Sequence, residues 1–155
     1  MLLLSDPLNS ISNGIVLNLR NWDKSLYDFF EIRVMLSSER EGVNGNVSIN
    51  AAGSSIPGGW TELGLGHSNS TPAIHSIVDN TGLEGRMNAQ YDTWYTLRIE
   101  FRPETRTFTY LVNGQILNTY VVPGSDAISF KPELQVWHEN DTSVKVFVDE
   151  VRIGQ

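Results

Sequence analysis

The sequence predicts an all-β protein, a two-sheet antiparallel jelly-roll sandwich. Short apolar stretches alternate with polar residues at the two-residue period of a strand, and no stretch sustains the 3.6-residue period of a helix. Turns rich in Gly, Pro, Asn and Ser separate these stretches. Roughly ten to twelve short strands of this kind favour two sheets that bury one face against each other.

Length and composition indicate a single globular domain over residues 1–155. Hydrophobic residues make up 40% of the 155-residue chain and charged residues 19%, enough for a sizeable core. No apolar run approaches the ~20 residues that span a bilayer, so no membrane partner is expected. The formal net charge is −7 and no basic cluster is present, which argues against a nucleic-acid partner because phosphates would be repelled.

The amino-terminal residues 1–4 are apolar, but they are too few for a signal peptide and lack a basic start. We therefore expect a domain cut from a longer exported chain, extracellular or at the cell surface, with a cytoplasmic protein as the alternative. The chain has no cysteine, so neither a disulfide framework nor a thiolate metal site is expected.

The strands before residue 90 are predicted from alternation. Residues 27–37 place Phe30, Ile32, Val34 and Leu36 on one side, as expected for a strand with one buried face. Further strands are predicted at residues 2–4, 15–19, 47–51, 60–67, 73–79 and 83–89.

Residues 94–123 predict three consecutive antiparallel strands. Asn113-Gly114 is typical of a two-residue type I′ turn, which pairs Val112 with Gln115 and, without interruption, Phe108 with Thr119. A turn at residues 103–106 pairs Phe101 with Phe108. Both registers give one apolar face, whose burial is a main source of stability at roughly 25 cal/mol per Å². That face comprises Leu97, Ile99, Phe101, Phe108, Tyr110, Val112, Leu117 and Val121.

Three segments of the chain resemble the carboxy-terminal half of concanavalin A-like lectin/glucanase domains, a group that includes laminin G-like domains and galectins. They are WYTLRI at 94–99, YLVNGQ at 110–115 and VFVDEVRI at 146–153. The resemblance covers about residues 91–154 by motif and the earlier strands by spacing only. It implies that the three strands lie in the convex sheet, that Trp94 packs in the core, and that a sugar binds on the opposite, concave sheet.

The candidate sugar site therefore lies on the outer face of the second sheet. If Leu63 and Leu65 point inward, their neighbours along the strand point outward, and the strands near residues 86 and 137 behave likewise. A tryptophan ring stacks on the C–H face of a sugar, while planar polar side chains bind its hydroxyls. The predicted site comprises Trp60, Glu62, Arg86, Asn88, Trp137 and Glu139.

A structural alternative needs no ligand. Trp60 and Trp137 could simply cover the sheet edges, with Glu62 and Arg86 forming a cross-strand ion pair.

A structural calcium ion is the only cofactor that the resemblance implies. Many members of the resembled group hold Ca²⁺ with loop carboxylates, and Asp6, Asp149 and Asp141 are the candidates. The three histidines lack a ligand-like spacing such as His-x-x-x-His, so a transition-metal site is not expected.

The expected function is noncatalytic binding of an oligosaccharide or polysaccharide. Glycoside hydrolysis needs two carboxylates, which glucanases of the resembled group place as Glu-x-Asp-x-Glu on one concave strand. The chain lacks that motif, and Glu62 has no carboxylate two residues away. Two alternatives remain: a laminin G-like protein-interaction module using loops 53–59 and 68–72, and a sugar hydrolase pairing Glu62 with Glu84 or Glu139.

Overall fold

The computed structural model describes residues 2–4, 15–18, 29–39, 44–125, 128, 130–138 and 144–154. Twelve strands and one short 3₁₀ turn, Pro57–Gly59, are found in these residues. None of the described segments forms a helix long and apolar enough to cross a membrane. The strands are β1 Leu2–Leu4, β2 Ile15–Asn18, β3 Phe29–Leu36, β4 Gly45–Ala52, β5 Trp60–Ser68, β6 Thr71–Val78, β7 Leu83–Asn88, β8 Trp94–Arg102, β9 Thr107–Val112, β10 Gln115–Val121, β11 Lys131–His138 and β12 Val146–Gly154.

The described strands form two six-stranded antiparallel sheets. The first has the order β1-β12-β3-β8-β9-β10, and the second has the order β2-β11-β4-β5-β6-β7. Strands from the beginning and the end of the chain lie side by side in each sheet, β1 with β12 and β2 with β11, as in a jelly roll. The predicted all-β, two-sheet antiparallel sandwich is therefore confirmed.

The core lies between the two sheets and buries the apolar side of each. Alternate residues of β3 and β8, such as Ile32 and Leu97, face alternate residues of β4 and β5, such as Ile49 and Leu63, and all four are fully buried. Phe108 packs with Phe101 and Phe130 at ring-centroid distances of 4.7 and 5.3 Å. The predicted apolar face of β8 and β9 is thus covered by the second sheet.

The register of the three consecutive strands is only partly as predicted. Phe101 pairs with Phe108 as expected, and β9 and β10 begin with Gln115 opposite Val112. A bulge between Ile116 and Asn118 then shifts the pairing by one residue, which reverses the direction of the later side chains.

The bulge changes which β10 side chains reach the core. Leu117 and Tyr120 are partly buried and pack against it, whereas Val121 is 60% exposed. The prediction of Phe108 opposite Thr119 and of a buried Val121 is therefore wrong.

The outer face of the first sheet is a solvated surface of paired charges. Arg33 pairs with Asp149, Arg98 lies near both Glu31 and Glu100, and Arg152 pairs with Glu150. Such exposed ion pairs each contribute only about 0–1 kcal/mol.

Trp94 also lies on this outer face, because its neighbour Tyr95 points into the core. Its ring is partly buried beneath the Arg33 guanidinium, 4.9 Å from the ring centroid. The prediction of a core tryptophan at this position is wrong.

A buried hydrogen bond joins the two sheets between Tyr110 and Thr61. The Thr61 hydroxyl donates to the Ile77 carbonyl, so the Tyr110 hydroxyl is the donor to Thr61 Oγ1. Burial raises the pKa of Tyr110 far above its ordinary value.

We expect Tyr110→Phe to lower the free energy of unfolding by about 1 kcal/mol, because Thr61 keeps its bond to Ile77. Urea denaturation measures the loss, with Tyr120→Phe on the edge strand as the matched control. Equal stability of Tyr110→Phe and the unaltered protein would contradict this role.

Asp92 fixes the turn before β8. Its carboxylate accepts hydrogen bonds from the Ser38 backbone N–H and the Ser38 hydroxyl, and these bonds lower the pKa of Asp92. A group whose pKa is lower in the folded state stabilises it above the unfolded-state pKa and loses that contribution as the pH falls.

We expect the free energy of unfolding to decrease as the pH is lowered. The decrease should start at about pH 4, where an unfolded aspartate titrates, and continue to lower pH. The Asp92→Asn variant should lack this part of the decrease because it has no carboxylate to protonate. Parallel pH profiles for the two proteins would show that Asp92 does not contribute.

Candidate functional site

Alternation along β4 and β5 gives the second sheet a polar outer face. In β4, Val47 and Ile49 are buried in the core, so the residues between and beside them point outward. In β5, Leu63 and Leu65 are likewise buried in the core, so their neighbours along the strand point outward. The outward residues of these two strands include Asn46, Ser48, Asn50, Trp60, Glu62, Gly64 and Gly66.

Strand pairing brings residues from five strands together on this outer face in three rows. Each row runs across β11, β4, β5, β6 and β7. The rows are Trp137-Asn46-Gly66-Ala73-Asn88, Gln135-Ser48-Gly64-His75-Arg86 and Glu133-Asn50-Glu62-Ile77-Glu84.

Five of the predicted site residues lie on this face. They are Trp60, Glu62, Arg86, Asn88 and Trp137, with Trp60 at the end of β5. Glu139 lies outside the described residues. How these side chains bind a sugar stays a prediction.

The alternative of a Glu62–Arg86 ion pair is wrong, because β6 separates the two residues. Glu62 instead accepts at Oε1 from His75 and Asn46. His75 Nε2 lies 2.6 Å from Glu62 Oε1, and Asn46 Nδ2 lies 3.1 Å from it. Glu62 is only 8% exposed and is held by these two neighbours.

Two glycines of β5 make room for this cluster. A Cβ on Gly64 would lie 3.1 Å from the His75 ring, and a Cβ on Gly66 would lie 2.5 Å from Asn46 Cβ. A larger residue at either position would therefore clash with this cluster, while Gly66 still lines a depression on the outer face.

Three buried oxygens on β4 lack a hydrogen-bond partner among the described residues: Asn46 Oδ1, Ser48 Oγ and Asn50 Oδ1. The Asn50 amide nitrogen does donate to Gln135 Oε1, at 2.8 Å. Leaving a buried polar atom unpaired costs about 1–3 kcal/mol. Each of these oxygens is closed to solvent, so a ligand does not reach it unless the covering side chains move.

Two adjoining depressions lie on this outer face. One, of about 330 Å³, is lined by Gly66, His75 and Arg86 among others. The other, of about 600 Å³, lies between Trp60 and Gln135. Asn46 and Trp137 line both. Each volume is within the range of small-molecule sites, about 300–1,000 Å³.

The calcium candidates do not form a described site. Asp149 pairs with Arg33 on the first sheet, while Asp6 and Asp141 lie outside the described residues. In the part of the chain that the structure describes, no three His, Cys, Asp or Glu side chains are grouped to hold a metal ion. Calcium binding stays a prediction.

The sequence reasoning missed Asn46, Ser48, Asn50 and His75. The outward direction of the three β4 residues could have been predicted, because they alternate with the apolar residues Val47, Ile49 and Ala51. No such pattern could have predicted the direction of His75, since the residues on both faces of β6 are largely apolar.

No protein-family model matches the sequence, and no curated protein matches it. Several solved structures match the fold of the chain. A Crh5 transglycosylase in complex with NAG matches with a TM-score of 0.67 and 11% identity, over 99% of this chain and 72% of that chain. An alginate lyase mutant in complex with alginate tetrasaccharide matches with a TM-score of 0.63 and 13% identity, over 99% and 80%.

A lectin also matches. A tetrameric galectin from the ball sponge Cinachyrella sp. has a TM-score of 0.55 and 14% identity, over 92% of this chain and 100% of that chain. At these identities the likeness is one of fold. The chain has the concanavalin A-like jelly-roll fold that these carbohydrate-active enzymes and this lectin share.

Proposed function

We propose that this chain is a noncatalytic carbohydrate-binding domain that holds an oligosaccharide or polysaccharide on the outer face of its second sheet. The observation that carries the proposal is the pair of adjoining depressions on this face, which are lined by Trp60, Trp137 and polar side chains of β4, β5 and β11. Sugar hydroxyls are donors as well as acceptors, so they match a lining that offers amide, carboxylate and guanidinium groups. The carbohydrate ligands of the matching structures agree with this ligand class.

Two tryptophans supply the apolar part of the site. Both are partly exposed on the outer face, where a ring can stack on the C–H face of a sugar. Trp60 pairs with Ala52 and Trp137 with Asn46, which are six residues apart on β4. At about 3.3 Å per residue, the two tryptophans are about 20 Å apart along the strand. This length suits a chain of several sugar rings.

The position of Glu62 supports binding without hydrolysis. Glycines occupy the next two outward positions of β5, so no second carboxylate follows on that strand. Glu84 and Glu133 share the row of Glu62 but lie two strands away, about 10 Å between backbones. A retaining glycosidase needs its carboxyl groups about 5–5.5 Å apart and an inverting one about 6.5–9.5 Å, so this spacing argues against the retaining mechanism only.

A glycan array tests the proposal. We expect the domain to bind at least one glycan and to be displaced by the same glycan free in solution. A different result would favour a laminin G-like interaction module. In that case no glycan binds, and a binding assay recovers a protein partner whose binding is not reduced by free sugars.

A panel of chromogenic glycosides separates binding from hydrolysis. We expect no product release by the unaltered protein. Release that is lost in Glu62→Gln would contradict the noncatalytic assignment and establish a hydrolase.

The setting of the domain is a second proposal. We infer that it belongs to a longer exported protein and acts outside the cell, which fits a role in binding glycans. The parent reading frame tests this, since an export signal or a neighbouring catalytic domain would support it.

A further inference from the structure

We propose that Glu62 selects the glycan in the larger depression by accepting a hydrogen bond from one free hydroxyl of a sugar unit, and that His75 and Asn46 are positioning residues that hold its carboxylate. This inference rests on the proposed function and adds the ligand class, which is glycans whose unit beside Glu62 carries an unsubstituted hydroxyl. Units in which that hydroxyl is absent, O-methylated or O-acetylated should be rejected.

One oxygen of the Glu62 carboxylate is fully engaged by the protein. His75 Nε2 lies 2.6 Å from Glu62 Oε1, and Asn46 Nδ2 lies 3.1 Å from the same atom. An ionised carboxylate only accepts hydrogen bonds, so both nitrogens donate, and two donors fill the lone pairs of one oxygen. The donors come from β6 and β4, on either side of β5. They hold Oε1 over Gly64, where an added Cβ would lie 3.2 Å from it.

The other oxygen, Oε2, is available to a ligand. It makes no hydrogen bond to a described residue, and it is not closed to solvent as Asn46 Oδ1 and Asn50 Oδ1 are. Glu62 lines the larger depression together with Trp60 and Trp137. A sugar unit in this depression therefore meets a charged acceptor that the protein has not used.

The requirement for a donor follows from the burial of Glu62. The residue is 8% exposed, so a bound sugar unit would remove the little water that reaches Oε2. A hydroxyl replaces that water by donating, whereas an ether or ester oxygen only accepts and leaves the carboxylate oxygen unpaired. His75 and Asn46 already fix the side chain, so Glu62 loses little rotamer freedom when a glycan binds.

Deoxyfluoro analogues of the oligosaccharide that binds best on the glycan array test the role of Glu62. Each analogue replaces one hydroxyl by fluorine, which is similar in size but cannot donate. By isothermal titration calorimetry, we expect at least one analogue to bind the unaltered protein at least about tenfold more weakly than the parent oligosaccharide.

Glu62→Gln is the isosteric variant for this test. Its amide oxygen can accept from His75 and Asn46, which places the amide nitrogen, a donor, where Oε2 was. The parent oligosaccharide and the weakly bound analogue should then differ by less than about threefold, because the acceptor for the hydroxyl is gone.

Two variants of His75 test its positioning role. His75→Phe keeps a ring but has no donor, whereas His75→Gln can still donate to Glu62 Oε1. We expect the difference between parent and analogue to shrink in His75→Phe and to persist in His75→Gln, with the thermal midpoint recorded for both. An unchanged difference in His75→Phe would overturn the positioning role, because a purely structural residue would change only the stability.

Glu104→Gln is the matched control, since it removes a carboxylate from the turn between β8 and β9 on the first sheet. It should bind the parent and the analogue as the unaltered protein does. Equal binding of the parent and every analogue to the unaltered protein would overturn the inference and leave the proposed function standing. A difference that persists in Glu62→Gln and disappears in Glu133→Gln would overturn it too. No glycan bound on the array would overturn the proposed function itself.

Discussion

Phe108→Ala will lower the free energy of unfolding by about 3–5 kcal/mol, the usual cost of removing a buried phenylalanine ring. Phe108 is fully buried and packs against Phe101 and Phe130, on the face of the first sheet that the second sheet covers. Removing the ring leaves a cavity among neighbours that are held by two sheets. Urea denaturation monitored by circular dichroism measures the change.

Ile116→Ala is the control for this substitution. Ile116 lies on the adjacent strand but is 65% exposed, so its truncation should change stability by no more than about 0.5 kcal/mol. If the two variants were equally stable, the face that carries Phe108 would not be covered. The two-sheet packing would then be refuted.

Trp137→Ala will weaken glycan binding at least about tenfold, which corresponds to about 1.4 kcal/mol of binding free energy. Trp137 lines both depressions, so it is placed to contact a sugar chain on either side. The thermal midpoint should stay within a few degrees, because the ring lies on the outer face and outside the core. Isothermal titration calorimetry with the glycan identified on the array measures the loss.

Trp94→Ala provides the matched comparison. Trp94 is also a partly buried tryptophan on an outer face, but on the opposite sheet beneath Arg33. Its removal should leave the glycan affinity unchanged. Equal losses in the two variants would show that the groove on the second sheet is not the binding site.

Most of the fold could be predicted because alternation and turn chemistry are local signals. The turn at residues 103–106 fixed the pairing of Phe101 with Phe108. The bulge after Ile116 could not be predicted, since Leu117 and Val121 are apolar and fit the core face in an uninterrupted register. In the observed register Tyr120 packs against the core at the sheet edge, and Val121 is exposed.

The sequence predicts the face on which several site residues lie, but it does not predict which of them lie close together. Parity along a strand placed Trp60, Glu62 and Trp137 on an outer face. Their proximity depends on β11 pairing with β4, two strands nearly eighty residues apart, which no local pattern encodes. The hydrogen bond between Glu62 and His75 could not be predicted either. It depends on the pairing of β5 with β6 and on the absence of a side chain at Gly64.

Mapping of backbone amide chemical shifts during titration with the bound glycan tests the central claim most directly. We predict that the largest changes fall on β4 and β5, at Asn46, Ser48, Asn50, Gly64 and Gly66, which form the floor of the groove. Changes confined to the outer face of the first sheet, around Arg33, Arg98 and Arg152, would contradict the account.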